Sequence, residues 1–253
     1  MIDTSPLNYS ELYNKSTMNR SDGHVSYSNK MLKWGDAFAA VCFAYGIPWD
    51  RIITKFPILN NNNRHEGHIG PYNSAQAQID FIKQNHTKLP KSILEIGGGR
   101  LEVVTFLSEL ARQLCITQQI VVIEPGKDAP TYLQETPKHY FPDTCNELTN
   151  IVLYNAPIHE LEVDFSKYDT ILMVESLEHI LAEQFDPKFE QLKHQFKGDF
   201  IIVNWIGYHP IAVGQYAPPD IHCRLVDDDL YNYYAEHGTT KHRNGSHLWL
   251  SLS

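Results

Sequence analysis

Residues 92–100 read Ser92-Ile93-Leu94-Glu95-Ile96-Gly97-Gly98-Gly99-Arg100. Five residues of strand character run into three successive glycines. Residues 101–114 (LEVVTFLSELARQL) then place apolar side chains at helical spacing. Three side chains missing in a row at a strand-to-helix junction leave bare main chain, which suits a ligand lying directly against backbone N–H groups. A tight turn between the two elements is the other use of the same glycines.

Outward from this segment the chain alternates. QIVVIEP (119–125), NIVLYN (150–155), YDTILMVES (168–176) and DFIIVNWI (199–206) read as strands. Residues 101–114, part of 130–148, 178–196 and 227–237 read as helices. TTKHR and SHLWLSLS flank Asn244-Gly245, a two-residue hairpin signal. The expected fold is α/β: a doubly wound, mostly parallel seven-stranded sheet whose terminal hairpin adds an antiparallel strand. On the other side of the glycines, Asn73 or Ser74 caps a helix running to about Asn85. Residues 57–72 (PILNNNNRHEGHIGPY) form a polar lid loop that holds His65 and His68, and residues 27–46 form a helix stopped by Gly46. The expected division is a helical N-terminal extension over 1–72 and a main domain over 73–253. Trp34, Phe38, Phe43 and Trp49 read as core of the extension.

Bulk properties narrow the function. At 42% hydrophobic and 20% charged the chain is ordinary globular material. No stretch approaches the roughly 20 apolar residues of a membrane span. The polar start MIDTSPLNYSELYNK lacks a signal-peptide core, so the expected address is cytoplasmic, with no membrane partner. Cys42, Cys115, Cys145 and Cys223 are scattered without a CxxC pair. That argues against a zinc cluster or disulfide framework and reads as four buried free thiols. The formal charge of −9 is uneven: residues 1–90 carry 9 Lys/Arg against 7 Asp/Glu, and residues 91–253 carry 12 against 23. An acidic main domain argues against a broad nucleic-acid surface. It leaves room for one RNA end in a cleft, or for a bound cation.

Two ligand chemistries use a glycine-rich strand-to-helix turn. The dinucleotide fingerprint G-x-G-x-x-G fails here, because Glu102 stands at the third glycine position and a carboxylate faces a pyrophosphate badly. Glu95-Ile96-Gly97-Gly98-Gly99 instead fits E-x-G-x-G. With the following helix, the second-strand acid and the terminal hairpin, residues 75–253 resemble the class I S-adenosylmethionine-dependent methyltransferases. The resemblance implies a Rossmann-like domain with S-adenosyl-L-methionine as cofactor. Glu95 would lie under its methionine part, and Gly97, Gly98 and Gly99 would lie against it. Glu124, followed by Pro125, would accept both ribose hydroxyls, which one carboxylate can do in a single plane. Asn155 and Ala156 stand where the family often carries an acid near the adenine; an amide there can still bond the adenine amino group. Tyr72 and Glu175 are the remaining expected cofactor neighbours.

Residues 174–180 (VESLEHI) end the fourth strand on the methyl-donating side. Glu175, Glu178 and His179 have i, i+3, i+4 spacing, and such an O,O,N set suits Mg²⁺, Mn²⁺ or a similar divalent cation. E-x-x-E-H at this place is similar to the metal-dependent small-RNA 2′-O-methyltransferases and to the ubiquinone-pathway O-methyltransferases. The former resemblance makes His222, in DIHCR, a fourth ligand. The small-RNA family's aromatic-acid-Trp run after that His is absent, replaced by RLVDDD. Without metal, His179 or His222 would act as general base. Tyr208 and His209, after the fifth strand, are expected to line the substrate pocket. The expected reaction is metal-assisted O-methylation of a hydroxyl on a small molecule or sugar. The alternatives are methylation of an RNA 3′-terminal ribose, a metal-free small-molecule O- or N-methyltransferase, and an inactive methyltransferase-fold binding subunit.

Overall fold

The strand-forming segments assemble into one seven-stranded sheet of order β3-β2-β1-β4-β5-β7-β6. The strands are β1 (Ser92–Ile96), β2 (Gln119–Ile123), β3 (Ile151–Tyr154), β4 (Thr170–Val174), β5 (Asp199–Val203), β6 (Thr239–Arg243) and β7 (His247–Ser251). The computed structural model describes residues 27–60, 75–143, 148, 150–204 and 224–253. β1 to β5 run parallel, and β7 enters antiparallel between β5 and β6. The expected doubly wound sheet with a closing hairpin is therefore the observed one.

Side-chain alternation splits the core in two, as a pleated strand with both faces covered requires. Ile93, Ile120, Val122, Leu172, Ile201, Val203 and Trp249 face one layer; Leu94, Ile96, Val121, Ile171, Met173, Phe200, Ile202 and Leu248 face the other. Helices α1 (Tyr27–Ala44), α2 (Trp49–Lys55), α3 (Ala75–Asn85) and α4 (Glu102–Leu114) supply buried residues to the first layer. α5 (Ala129–Tyr140) packs on α4, while α6 (Ala182–Gln195) and α7 (Asp228–Ala235) cover the second layer. From Ala37 to Tyr45 every residue of α1 and its end is at most 3% exposed, so this part of the N-terminal extension is enclosed all round. Phe38, Phe43 and Trp49 are core residues as expected, and Phe43 stacks on Trp249 at 5.2 Å between ring centres and meets Trp49 at a tilt, 6.2 Å away.

A charged clamp fixes the opposite end of the sheet from the glycines. Asp199, which opens β5, accepts 2.7 Å and 2.6 Å bonds from Lys88 Nζ and Lys241 Nζ. It ties the linker before β1 and the edge strand β6 to one buried carboxylate.

Two expectations need correction. The helix read over 178–196 is two elements, a 3-10 turn at Leu177–His179 and α6 beginning at Ala182, because Ile180 and Leu181 adopt extended ψ angles. Cys115 is exposed, since it forms the left-handed C-cap of α4 (φ 53°) on the surface. Cys42 is buried, and burial pushes its thiol well above the usual range. Cys145 and Cys223 lie outside the described residues.

Candidate functional site

β1 ends at Ile96, and the three glycines after it divide by role. Gly97 (φ +80°) donates its N–H to Ile123 O at 2.8 Å, and a Cβ on it would lie 2.3 Å from Ser176 Cβ. A Cβ on Gly98 would lie 2.5 Å from Val122 Cγ1 and 2.9 Å from Leu101 Cδ2. Those two positions are stripped for the chain's own packing. Gly99 differs: its φ is +54°, and a Cβ there would meet nothing within 4 Å. The backbone faces open space at Gly99, so the ledge expected over 97–99 is one residue wide.

Glu124, one residue past β2, sits beside that ledge. Its Oε2 accepts the Gly99 N–H at 2.7 Å, and its Oε1 accepts the Gly126 N–H at 2.7 Å. A carboxylate has roughly four acceptor directions, and these two N–H groups take one on each oxygen. Pro125 is half-buried between the two bonded residues. The side-chain amide of Asn155 donates to Glu124 O and Gly126 O, both at 2.7 Å. Its two N–H bonds hold the 124–126 turn, and Oδ1 is the atom that could accept from the adenine amino group, so the expected contact would use the oxygen alone. Ala156, half-buried beside it, donates its N–H to Tyr154 O at 3.0 Å.

Glu95 lies beneath the loop. It is 1% exposed, its Oε2 comes within 3.7 Å of the Cβ position of Gly98, and that oxygen has no hydrogen bond among the described residues. Burial pushes its pKa well above the usual carboxylate range, and the neighbouring carboxylates Glu102 and Glu124 add to this. A buried carboxylate oxygen without a hydrogen bond among the described residues, in the field of two further carboxylates, fits a cationic hydrogen-bonding ligand. The residues present thus suit S-adenosylmethionine, whose ammonium and sulfonium are both cationic.

The end of β4 abuts the same loop. Ser176 Oγ donates to Ile96 O at 2.8 Å. Glu175 precedes it with a left-handed backbone (φ 48°), a strained conformation for a side chain other than glycine. The turn Leu177–His179 is held by Leu177 N–H to Asn204 Oδ1 (3.2 Å) and by Arg224 N–H to Glu178 O (3.2 Å). His179 Nε2 lies 3.6 Å from Glu178 Oε1, with 15% of the imidazole side chain and 3% of the carboxylate side chain exposed.

The metal expectation is not met by these three side chains. No three His, Cys, Asp or Glu among the described residues are arranged to hold a metal ion. Glu178 and His179 do sit on a short turn, a 3-10 turn over Leu177–His179 with Ser176 before it, and Glu175 precedes it with a left-handed backbone, so the three side chains do not form one donor set. His222, Tyr208, His209, Tyr72, His65 and His68 lie outside the described residues.

Four residues escaped the sequence reading. Gly126 had a signal, a glycine two places after a strand-end acid. Asn204 had one as well, the first polar residue after the DFIIV run. Asp36, the single acid in the apolar stretch of α1, approaches His247 of β7 (Oδ1 to Nε2, 3.8 Å) in a buried pair. Tyr231 donates to Ser246 O at 3.3 Å, and burial, then Glu175, Glu178 and Asp36, push its phenol well up. Those carboxylates share one field at the carboxyl edge of the sheet.

Two solved structures of similar fold carry bound S-adenosyl compounds. The magnesium protoporphyrin IX methyltransferase of Synechocystis PCC 6803 with bound SAH superposes over 96% of this chain and 98% of its own, with TM-score 0.53 and 13% identity. With bound SAM, the corresponding values are 98%, 99%, 0.52 and 12%. The chain has the Rossmann-like methyltransferase fold. A SAM-dependent methyltransferase from Aquifex aeolicus is less similar, at TM-score 0.44 and 13% identity over 64% of this chain and 82% of that one. No family model matches the chain, and no curated protein matches it. Among the described residues no helix of this methyltransferase fold is long and apolar enough to cross a membrane.

Proposed function

We propose that the chain is an S-adenosylmethionine-dependent methyltransferase that methylates a hydroxyl group on a small molecule or sugar. The observation that carries this reading is the open backbone at Gly99 with the Glu124 carboxylate fixed beside it at 2.7 Å. When bound, S-adenosylmethionine supplies a methyl group on a sulfonium, open to in-line displacement. The chain's residues do the rest. Glu124 accepts the ribose hydroxyls, Glu95 meets the cationic methionine end, and the Gly99 main chain supports the nucleoside.

A hydroxyl is a weak nucleophile at neutral pH, so a base near the methyl accelerates transfer. His179 fills that role. Its Nε2 lies 3.6 Å from Oε1 of the buried Glu178, and a carboxylate beside an imidazole favours the protonated form that results when the ring takes the proton of the attacking hydroxyl. The contact of Ser176 with Ile96 and Gly97 sets this turn against the cofactor ledge, and positioning of that kind supplies much of the rate. Among the described residues Glu175, Glu178 and His179 form no three-ligand set for a cation. The excess of acid over base in residues 91–253 supports a neutral or cationic acceptor over an RNA end.

Titration calorimetry of the whole chain with S-adenosylmethionine tests the cofactor half of this reading. Saturable binding supports it, and no binding overturns it. Methyl transfer from labelled cofactor to a panel of phenols, catechols and sugars tests the other half. His179→Ala should lose transfer while keeping cofactor affinity, and full transfer by that variant removes His179 as base.

A further inference from the structure

The amide of Asn155 spends both of its N–H bonds on main-chain oxygens of one short turn. Nδ2 donates to Glu124 O and to Gly126 O, each at 2.7 Å. Gly126 in turn donates to Glu124 Oε1 at 2.7 Å, so the turn folds back on the side chain it carries. Gly126 O also accepts the Ala129 N–H at 3.0 Å, which joins the turn to the start of α5. From the other side, Glu124 N donates to Tyr154 O at 3.1 Å, one residue before Asn155. The carboxylate of Glu124 therefore has its backbone O, its Oε1 and its neighbouring turn fixed by a network that ends on one amide.

We infer that Asn155 is a positioning residue that holds Glu124 in line for the ribose hydroxyls through donor bonds to the 124–126 turn. This rests on the reading of Glu124 and Gly99 as a nucleoside site. The residue type follows from the chemistry. Both acceptors are carbonyl oxygens, so the group facing them must carry two N–H donors, and of the short side chains only an asparagine amide does. An aspartate at 155 would set a carboxylate against two carbonyl oxygens and push the turn open. A residue that instead read the adenine amino group would be served at least as well by a carboxylate, which is a pure acceptor. The two roles thus give opposite answers to Asn155→Asp.

The experiment measures binding of S-adenosylhomocysteine and of its 2′,3′-dideoxy analogue to the full chain, as the unaltered protein, Asn155→Ala and Asn155→Asp. Loss of two neutral hydrogen bonds that act only by positioning should weaken S-adenosylhomocysteine about tenfold in Asn155→Ala, and about 100-fold in Asn155→Asp. The analogue has no hydroxyls for Glu124 to accept, so its affinity should be the same in the unaltered protein and Asn155→Ala to within about twofold. An aspartate variant that binds as tightly as the unaltered protein overturns the inference. So does an alanine penalty of equal size for both probes, because it places the contact on the base. Should Asn155→Asp fail to fold, the two-probe comparison with Asn155→Ala decides alone. If the unaltered chain binds neither probe, the cofactor reading falls and the inference with it.

Discussion

Glu124 Oε2 accepts the backbone N–H of Gly99 at 2.7 Å, across the gap between β1 and β2. This bond joins the end of one strand to the loop after its neighbour at the carboxyl edge of the sheet. Ligands of doubly wound folds bind at that edge, near the point where strand order reverses. Here β1 has β2 on one side and β4 on the other, and the loops after all three strands meet. The functional reading grows from that meeting: one loop offers open main chain, the second an acceptor, the third a histidine and its carboxylate.

Gly98 and Gly99 should respond differently to alanine. In Gly98→Ala the new methyl would meet Val122 Cγ1 at 2.5 Å inside the sheet-helix layer, so folding should lose about 2 kcal/mol. In Gly99→Ala the methyl enters open space, and only the left-handed backbone costs, by about 1 kcal/mol. The second variant should stay folded yet bind S-adenosylmethionine much more weakly. Chemical denaturation beside calorimetry checks both; normal cofactor affinity in a folded Gly99→Ala would take the ledge away.

Asp199 should set the stability in acid. Burial works to raise its pKa, but hydrogen bonds from Lys241 and Lys88 outweigh that and hold it below the ordinary value. A depressed carboxyl stabilises fully above its unfolded pKa, near 3.9, and loses that contribution as pH falls through the folded value. Unfolding free energy should therefore drop below about pH 4, and Asp199→Asn should flatten that drop. At pH 7 Asp199→Ala should cost about 2 kcal/mol, toward the low end for a broken buried pair because both lysines can return to water.

His242 governs a higher pH range. Packed against Phe43 and Trp49, it has its pKa lowered from 6.5 to about 4, chiefly by burial, then by His247. The unfolded chain binds this proton first, so stability should decline as pH falls from 6.5 toward 4. In His242→Phe the decline over that interval should be shallower. Melting temperatures at half-unit pH steps decide it, and identical slopes would count against a neutral buried imidazole.

Cys115 should tolerate the reverse of the usual glycine argument. It closes α4 with φ 53° on the surface, a conformation that favours glycine. Cys115→Gly should raise stability by about 1 kcal/mol, equivalent to roughly 2–4 °C in Tm for a domain of this size. An unchanged or lower Tm would mean that the cap carries no strain.

The sheet was legible because its strands are short apolar runs set off by turn residues, and the hairpin announced itself through Asn244-Gly245. Glu124 and Gly99 were legible as a motif, since strand ends and glycines carry their positions in the sequence. The separate roles of Gly97, Gly98 and Gly99 were not, because only the packing of Ser176 and Val122 against them distinguishes the three. The turn after β4 misled for a related reason. E-x-x-E-H spacing puts three donors close along the chain, but a left-handed Glu175 and a 3-10 turn are backbone choices that side-chain spacing does not encode. The Asp36–His247 pair joins residues more than 200 positions apart, so no local pattern reports it.

The most direct measurement is the affinity ratio of the unaltered protein for S-adenosylhomocysteine over its 2′,3′-dideoxy analogue. If Glu124 clasps the ribose, two charge-assisted hydrogen bonds are lost with the analogue, and the ratio should be on the order of 100. Equal affinity for the two compounds would contradict the account, because the carboxylate beside Gly99 would then hold no sugar.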